Sequence, residues 1–249
     1  MTLHALLVRT ALAVVAGTAS YPAVARPLGV VELFTSQGCN SCPPADAVLD
    51  KLAEKGDVVA LSYHVDYWDY LGWKDTLATR GNTDRQYDYA KAFGASSVYT
   101  PQAVLNGRTD LNGAKGNALK AELTKLEDKG DGLTVDVSAA YENDRVVVQT
   151  GDAKGPEKEA NVVFVFFDPA KRVKIVRGEN SGQTITYRNA VIATQTAGMW
   201  HGKAARFELP ESVMKEHDAG GCAVLLQATK NGLPGPIIGA AIVRVPDGN

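Results

Sequence analysis

The spacing of apolar positions changes near the middle of this chain, and the change predicts two halves. A β-branched and apolar run at Val30, Val31, Leu33 and Phe34 reads as a buried strand. After a Ser/Gln/Gly break and two prolines, Ala45, Val48, Leu49, Leu52 and Ala53 repeat with helical spacing as far as Gly56. Val58 to Tyr63 is a second buried run, so this stretch predicts a βαβ unit with parallel strands and a right-handed crossover. Tyr87, Ala90 and Phe93 mark a helix over 83–93 that Gly94 ends. Gln102 to Leu105 predicts a short strand, Asn106-Gly107 a tight hairpin turn and Leu111 an antiparallel return. Leu119, Leu123 and Leu126 place a last helix within 114–129, and Lys129-Gly130-Asp131-Gly132 closes the half.

From Leu133 the period falls to about 2, the spacing of strands. Residues 133–138, 145–149 and 184–187 alternate, while 161–167 is a continuous apolar run. Further strands fit 204–209, 223–228 and 237–245, with Asp168-Pro169-Ala170-Lys171 expected as a turn between two strands and 211–217 as a short helix. So many strands in so short a span suggest a β-sandwich. The predicted class is α+β: an α/β domain over 26–131 followed by a β-sandwich-like domain over 132–249.

Composition narrows the setting. A hydrophobic share of 45% with 22% charged residues is ordinary for a folded chain and argues against disorder. Arg9 precedes an apolar run at 11–16, and Ala23-Val24-Ala25 offers a small-x-small cleavage site, so 1–25 is expected to be a signal peptide with Arg26 as the mature start. The run is too short to span a bilayer, and no cysteine near the cleavage point offers a lipid anchor. A periplasmic or secreted protein without a membrane anchor is expected. Removing Arg9 with the leader takes the net charge from −2 to −3, and no Lys/Arg cluster offsets it, which argues against a nucleic-acid partner.

The candidate chemistry lies where the first strand meets the first helix. Cys39 and Cys42 form a C-x-x-C pair, which can close a small disulfide ring or share a metal ion. Redox exchange, metal binding and a purely structural disulfide all remain open on spacing alone. For exchange, Cys39 is the attacking sulfur by position and should be accessible, and Cys42 resolves. Pro43 disfavours the α region at Cys42 and should open the helix itself, so Cys39 receives less of the helix-end field. Asn40 and Ser41 can donate to a thiolate or serve as turn residues. Cys222 opens an apolar run and reads as a buried strand thiol.

Residues 64–73 leave the end of the second strand, where ligand groups gather in parallel sheets. Tyr63, Tyr67, Trp68, Tyr70 and Trp73 can pack as a lid or wall a peptide groove beside Cys39. His64 can be a hydrogen-bonded structural histidine, a proton-transfer group, or a third ligand beside Cys39 and Cys42. Glu32, within the first strand, is either outward-facing or a buried proton relay. Gly178 to Gly182 is a turn-rich segment of the β half, whose expected task is to dock on the α/β half or bind a partner.

The order of strand, C-x-x-C, helix, strand, helix, Thr100-Pro101, hairpin and helix resembles the thioredoxin fold. That resemblance implies a cis Pro101 whose loop lies against the dithiol. FTSQGCNSCPPAD, YHVDYWDYLGWKD, VYTPQAVLNG and GENSGQTITYRN together are similar to a secreted bacterial family catalogued as domain of unknown function 1223, over nearly the whole mature chain. The resemblance implies a thioredoxin-like half and a β-rich half. The expected function is a periplasmic thiol-disulfide oxidoreductase acting on protein thiols or disulfides. Cys39, Cys42 and Pro101 form its centre, Thr100, Trp68, Tyr67 and His64 its substrate side, and no cofactor is called for. The alternatives are a copper or zinc carrier using Cys39, Cys42 and His64, or a non-catalytic binding module with a structural disulfide. The lack of a methionine cluster weakens the carrier.

Overall fold

Every position of the first two strands is buried, as it must be where a parallel pair is covered on both faces. The computed structural model describes residues 26–245, so the signal peptide expected at 1–25 lies outside the described residues. In order, the elements are β1 (Val30–Thr35), α1 (Pro43–Lys55), β2 (Val59–His64), a 3-10 turn (Asp69–Leu71), α2 (Arg80–Phe93), β3 (Gln102–Leu105), β4 (Thr109–Asn112) and α3 (Gly116–Asp128). They continue with β5 (Val137–Glu142), β6 (Arg145–Thr150), β7 (Ala160–Lys174), β8 (Thr184–Trp200), β9 (Ala205–Pro210), α4 (Glu211–Glu216), β10 (Gly221–Lys230) and β11 (Leu233–Arg244).

β1 and β2 run parallel from Val30↔Val59 to Thr35↔His64, and β3 and β4 add antiparallel beyond β1. Asn106 and Gly107, with φ of 48° and 61°, make the expected two-residue hairpin turn. This turn is also a docking point. The backbone N–H of Ile237 donates to the Asn106 carbonyl, and a Cβ at Gly107 would stand 2.3 Å from the Gly235 carbonyl oxygen. Side chains of β1 alternate between two cores. Val31 and Leu33 pack with α1 and α3 residues such as Leu49 and Leu119, whereas Val30 and Phe34 pack with Tyr89 of α2.

The second half departs from the sandwich expected of it. β7, β8, β10 and β11 continue the first sheet, giving one eight-stranded mixed sheet in the order β11-β10-β7-β8-β2-β1-β3-β4. β8 joins β2 through one parallel bridge, Ser62↔Ala190. The run 161–167 is continuously apolar because each face meets a different core. Val163, Val165 and Phe167 join Leu61 and Tyr63, whereas Val162, Phe164 and Phe166 face a separate layer. That layer is the three-stranded sheet β5-β6-β9, so two packed β layers exist only over this end of the molecule. The sheet thus crosses the boundary expected at 131/132 without a break.

Asp168-Pro169 is not a turn either. Beyond Phe167, β7 has lost its β10 neighbour and pairs with β8 alone, so Pro169 stands on a free edge where its missing N–H removes no ladder bond. The β7–β8 ribbon therefore runs on past the sheet and closes through residues 175–183.

Candidate functional site

The dithiol loop is a pair of tight turns between β1 and α1. The N–H of Cys39 donates to the Ser36 carbonyl at 3.1 Å and that of Cys42 to the Cys39 carbonyl at 3.2 Å, and the two cysteines are joined as a disulfide. Pro43 takes the first helical position, where no N–H is needed. Cys42 itself is α-helical, at φ −81° and ψ −36°, against the expectation for a residue before proline. Its carbonyl accepts from the N–H groups of Ala45 (2.8 Å) and Asp46 (3.1 Å), and these first helix bonds outweigh the pre-proline preference.

Neither cysteine is exposed, which corrects the expectation of an accessible Cys39; Asn40 and Ser41 take the surface instead. The cover comes from the far end of the sequence. Asn180, buried in the 175–183 loop, donates through Nδ2 to the carbonyls of Gln37 (3.0 Å) and Cys39 (2.9 Å), and Gln183 Nε2 holds Asn180 Oδ1 at 3.2 Å. Trp73 Nε1 donates to Gln37 Oε1 at 2.8 Å, and Gly178, at φ 77°, packs so closely that a Cβ there would stand 3.1 Å from Trp73 Cβ.

Trp68 links the dithiol loop to the proline loop. Its Cβ lies 3.1 Å from where a Gly38 Cβ would stand, and its Nε1 donates to Thr100 Oγ1 at 2.8 Å. The Thr100-Pro101 bond is cis. Tyr67 is half-buried, with its ring centroid 6.3 Å from that of Trp68. Cys39, Cys42, Trp68, Thr100 and Pro101 thus belong to one connected region, with Tyr67 at its flank.

His64 lies beneath this region, fully buried, with its ring edge-on to Tyr187 at 4.5 Å. Its Nδ1 bonds Asp75 Oδ2 at 2.8 Å, while Nε2 finds no partner within the protein. Asp75 also accepts from the N–H groups of Gln37 (2.7 Å) and Leu77 (2.8 Å). Burial pushes the Asp75 carboxyl up, but His64 and these donors outweigh it and hold the group below its ordinary range.

Asp46 completes the set, four residues past Cys42 and on the same side of α1. Its Oδ1 accepts from Thr35 Oγ1 at 2.8 Å, and its buried Oδ2 finds no partner. Burial raises this carboxyl to about 7; His64 and the Thr35 hydroxyl pull it partly back, and Asp75 pushes it further up. Burial, with Asp46 and Asp75 nearby, also raises the Tyr187 phenol.

Residues 30–227, from β1 into β10, match the pattern of a family described as protein of unknown function, DUF1223. The chain belongs to the DUF1223 family. A crystal structure of a protein from Agrobacterium tumefaciens is 46% identical, covers 89% of this chain and 96% of its own, and superposes with a TM-score of 0.81. HBP35 of Porphyromonas gingivalis is similar in fold alone, at 14% identity and a TM-score of 0.61, over 88% of this chain and 76% of that one. No curated protein matches.

In this DUF1223 chain Glu32 is buried but serves neither of its expected roles. It points to the α2 face, away from Asp46, where Oε1 accepts from Arg85 Nε (2.8 Å) and Oε2 from Tyr89 Oη (2.5 Å). Gln227 of β10 joins the same network through Arg85 (2.9 Å) and Tyr89 (2.8 Å). Cys222 is free and buried in β10, its thiol pushed up to about 12 by burial. Among the described residues no group of three His, Cys, Asp or Glu side chains is arranged to hold a metal ion. No helix among them is long and apolar enough to cross a membrane.

Asp46, Asp75 and Asn180 were not singled out from the sequence. Asp46 carried a signal, a carboxylate set between Ala45 and Leu49 on the buried stripe of α1. Asn180 lay inside the GENSGQ segment, but nothing local tied that segment to the dithiol loop.

Proposed function

We propose that this protein is a thiol-disulfide oxidoreductase acting on protein thiols through Cys39 and Cys42. The observation that carries the reading is Asp46, a buried carboxyl raised to about 7 with one free oxygen, a helical turn beyond Cys42. Exchange leaves a thiolate on the resolving sulfur, which needs a proton before it can rest in a buried site. A free thiol titrates near about 8.5, so a carboxyl near neutrality is well matched to give that proton up and take it back. A substrate thiolate attacks Cys39 Sγ and forms a mixed disulfide; the Cys39–Cys42 bond breaks, and Cys42 leaves with its electron pair and takes the proton of Asp46. A second substrate thiolate then attacks the mixed disulfide. The substrate leaves oxidised, and Cys39 and Cys42 remain reduced.

Within this reading residues 26–131 form a thioredoxin-like unit. Support comes from parallel β1–α1–β2, from the cis Thr100-Pro101 bond leading into antiparallel β3–β4, and from α3 closing the set. An exported, oxidising location fits the leader read at 1–25 and the paired cysteines.

The test is a pair of variants given a panel of exported proteins. Cys39→Ser should abolish exchange, whereas Cys42→Ser should trap mixed disulfides, because no resolver remains to release them. No trapped species from Cys42→Ser, together with stoichiometric copper or zinc binding lost in Cys39→Ser, Cys42→Ser and His64→Ala, would replace the reading with a metal carrier.

A further inference from the structure

The 175–183 loop is tied within itself, packs Gly178 against Trp73 and bonds the dithiol loop through one side chain. It holds its own shape through N–H bonds from Ile175 to Gln183, Gly182 to Ile175, Ser181 to Gly178 and Gln183 to Asn180, of 2.8 to 3.2 Å. Of its residues only Ile175 and Asn180 are buried, and Val176 is 56% exposed. The hold on the dithiol loop is therefore mainly the Asn180 amide, whose single Nδ2 reaches two carbonyls at once.

Two features of that contact matter. One carbonyl belongs to Cys39 itself, so whatever fills the place of Nδ2 sits at the base of that cysteine. Both oxygens also converge on a single nitrogen, so a ligand can replace Asn180 in full only with a nitrogen carrying at least two hydrogens. A backbone N–H offers one; a primary amide or a terminal guanidinium nitrogen offers two and an ammonium three.

We propose that residues 175–183 are a latch closed over Cys39 by Asn180, and that the polypeptide thiol which opens it brings an Asn, Gln, Lys or Arg side chain to the carbonyls of Gln37 and Cys39. The choice of ligand rests on the dithiol-exchange reading; the latch does not. Two hydrogen bonds of ordinary net strength hold the closed state, weak enough to exchange for equivalent bonds from a ligand. Without such a donor, opening leaves both carbonyls to water and exposes Ile175. A bare thiol therefore meets a closed site.

The experiment measures reduction of the Cys39–Cys42 disulfide in the full chain, first by a water-soluble phosphine, then by three reduced dithiol peptides identical except for Asn, Lys or Leu on both sides of the attacking cysteine. Asn180→Ala should speed phosphine reduction by on the order of tenfold, the equivalent of two lost bonds of modest strength. Gln183→Ala, at an exposed position that threatens no fold, should speed it by a smaller factor. Wild-type protein should react with the Asn and Lys peptides about fivefold or more faster than with the Leu peptide, the margin of roughly one hydrogen bond. That preference should shrink in Asn180→Ala, whose latch no longer needs displacing. Phosphine rates unchanged in both variants would overturn the latch. Equal rates for the three peptides would overturn the proposed ligand. Faster phosphine reduction with no reaction of any peptide would keep the latch while removing both the ligand and the dithiol-exchange reading.

Discussion

Glu32 and Asp46 are both carboxyl groups buried beside β1, on opposite faces of the sheet, and their surroundings differ in one decisive respect. Glu32 has a donor on each oxygen, from Arg85 and Tyr89, and Gln227 ties the set to β10. Asp46 has a donor on one oxygen and none on the other, beside a His64 whose Nε2 is also unpartnered. A buried polar group with all its partners fixes geometry; one that lacks a partner carries a desolvation cost and keeps a proton within reach. The first site fastens the second half of the chain to α2. The second keeps an unpartnered oxygen, and it is the one that stands a helical turn beyond Cys42.

The sharpest way to break this contrast is to remove one member of the satisfied set. Arg85→Met should cost about 3–5 kcal/mol in urea denaturation, since it leaves the Glu32 charge buried alone, and Glu32→Leu added to it should restore much of that. A cost under about 1 kcal/mol would deny Glu32 its role as a fastener.

Asp46→Asn should act in the opposite direction. A carboxyl whose folded value, about 7, stands above its ordinary 3.8 binds its proton more tightly when folded. Its contribution is fully present below the ordinary value and is lost as pH rises through the folded one. The variant should therefore match wild type near pH 4 and exceed it by on the order of 3–4 kcal/mol at pH 8, with the gain accruing between those values. The same variant should lose the inflection near neutrality in the pH profile of disulfide reduction. A stability difference independent of pH would mean that Asp46 is ionised throughout.

Tyr89→Phe should cost about 2 kcal/mol by removing a donor to a buried carboxylate. Unlike the Asp46 effect, this loss should be flat between pH 5 and 8 in the same denaturation series. The smallest effect belongs to Arg188→Ala. It removes the partly exposed pairs with Asp50 (2.5 Å) and Glu54 (3.2 Å) of α1, and a double-mutant cycle with Asp50→Ala should return about 0.5 kcal/mol or less.

What could be read in the sequence follows the range of the interaction concerned. Cys39 with Cys42, the helix opening at Pro43 and the Asn106-Gly107 turn are settled within a few residues, and local spacing predicts them. The joining of β8 to β2 is not, because alternation identifies a strand without naming its neighbour. The run 161–167 shows the same limit, since its unbroken apolar character marks a strand covered on both sides but not by what. The dithiol itself was legible, while its environment was not. Asp75 reaches Gln37 across 38 positions and Asn180 reaches Cys39 across 141, separations at which a single sequence carries no pairing signal. Asp46 is the exception, a local clue, because its carboxylate stands within the apolar stripe of α1.

The seam at Ser62↔Ala190 has a consequence for how far the chain can be trimmed. Residues 26–131 contain the dithiol, the proline loop and three helices, which invites their use as a minimal fragment. Yet in that fragment β2 would become an outer strand, with only Ser62 and His64 polar among its otherwise apolar and aromatic side chains and with open N–H and C=O groups along one border. Nothing along it supplies the charge, proline or bulge that normally keeps such borders from recruiting copies of themselves. The short register with β8 is thus a guard against self-templating as much as a join. Pruned to residues 26–131, the polypeptide is expected to assemble border to border.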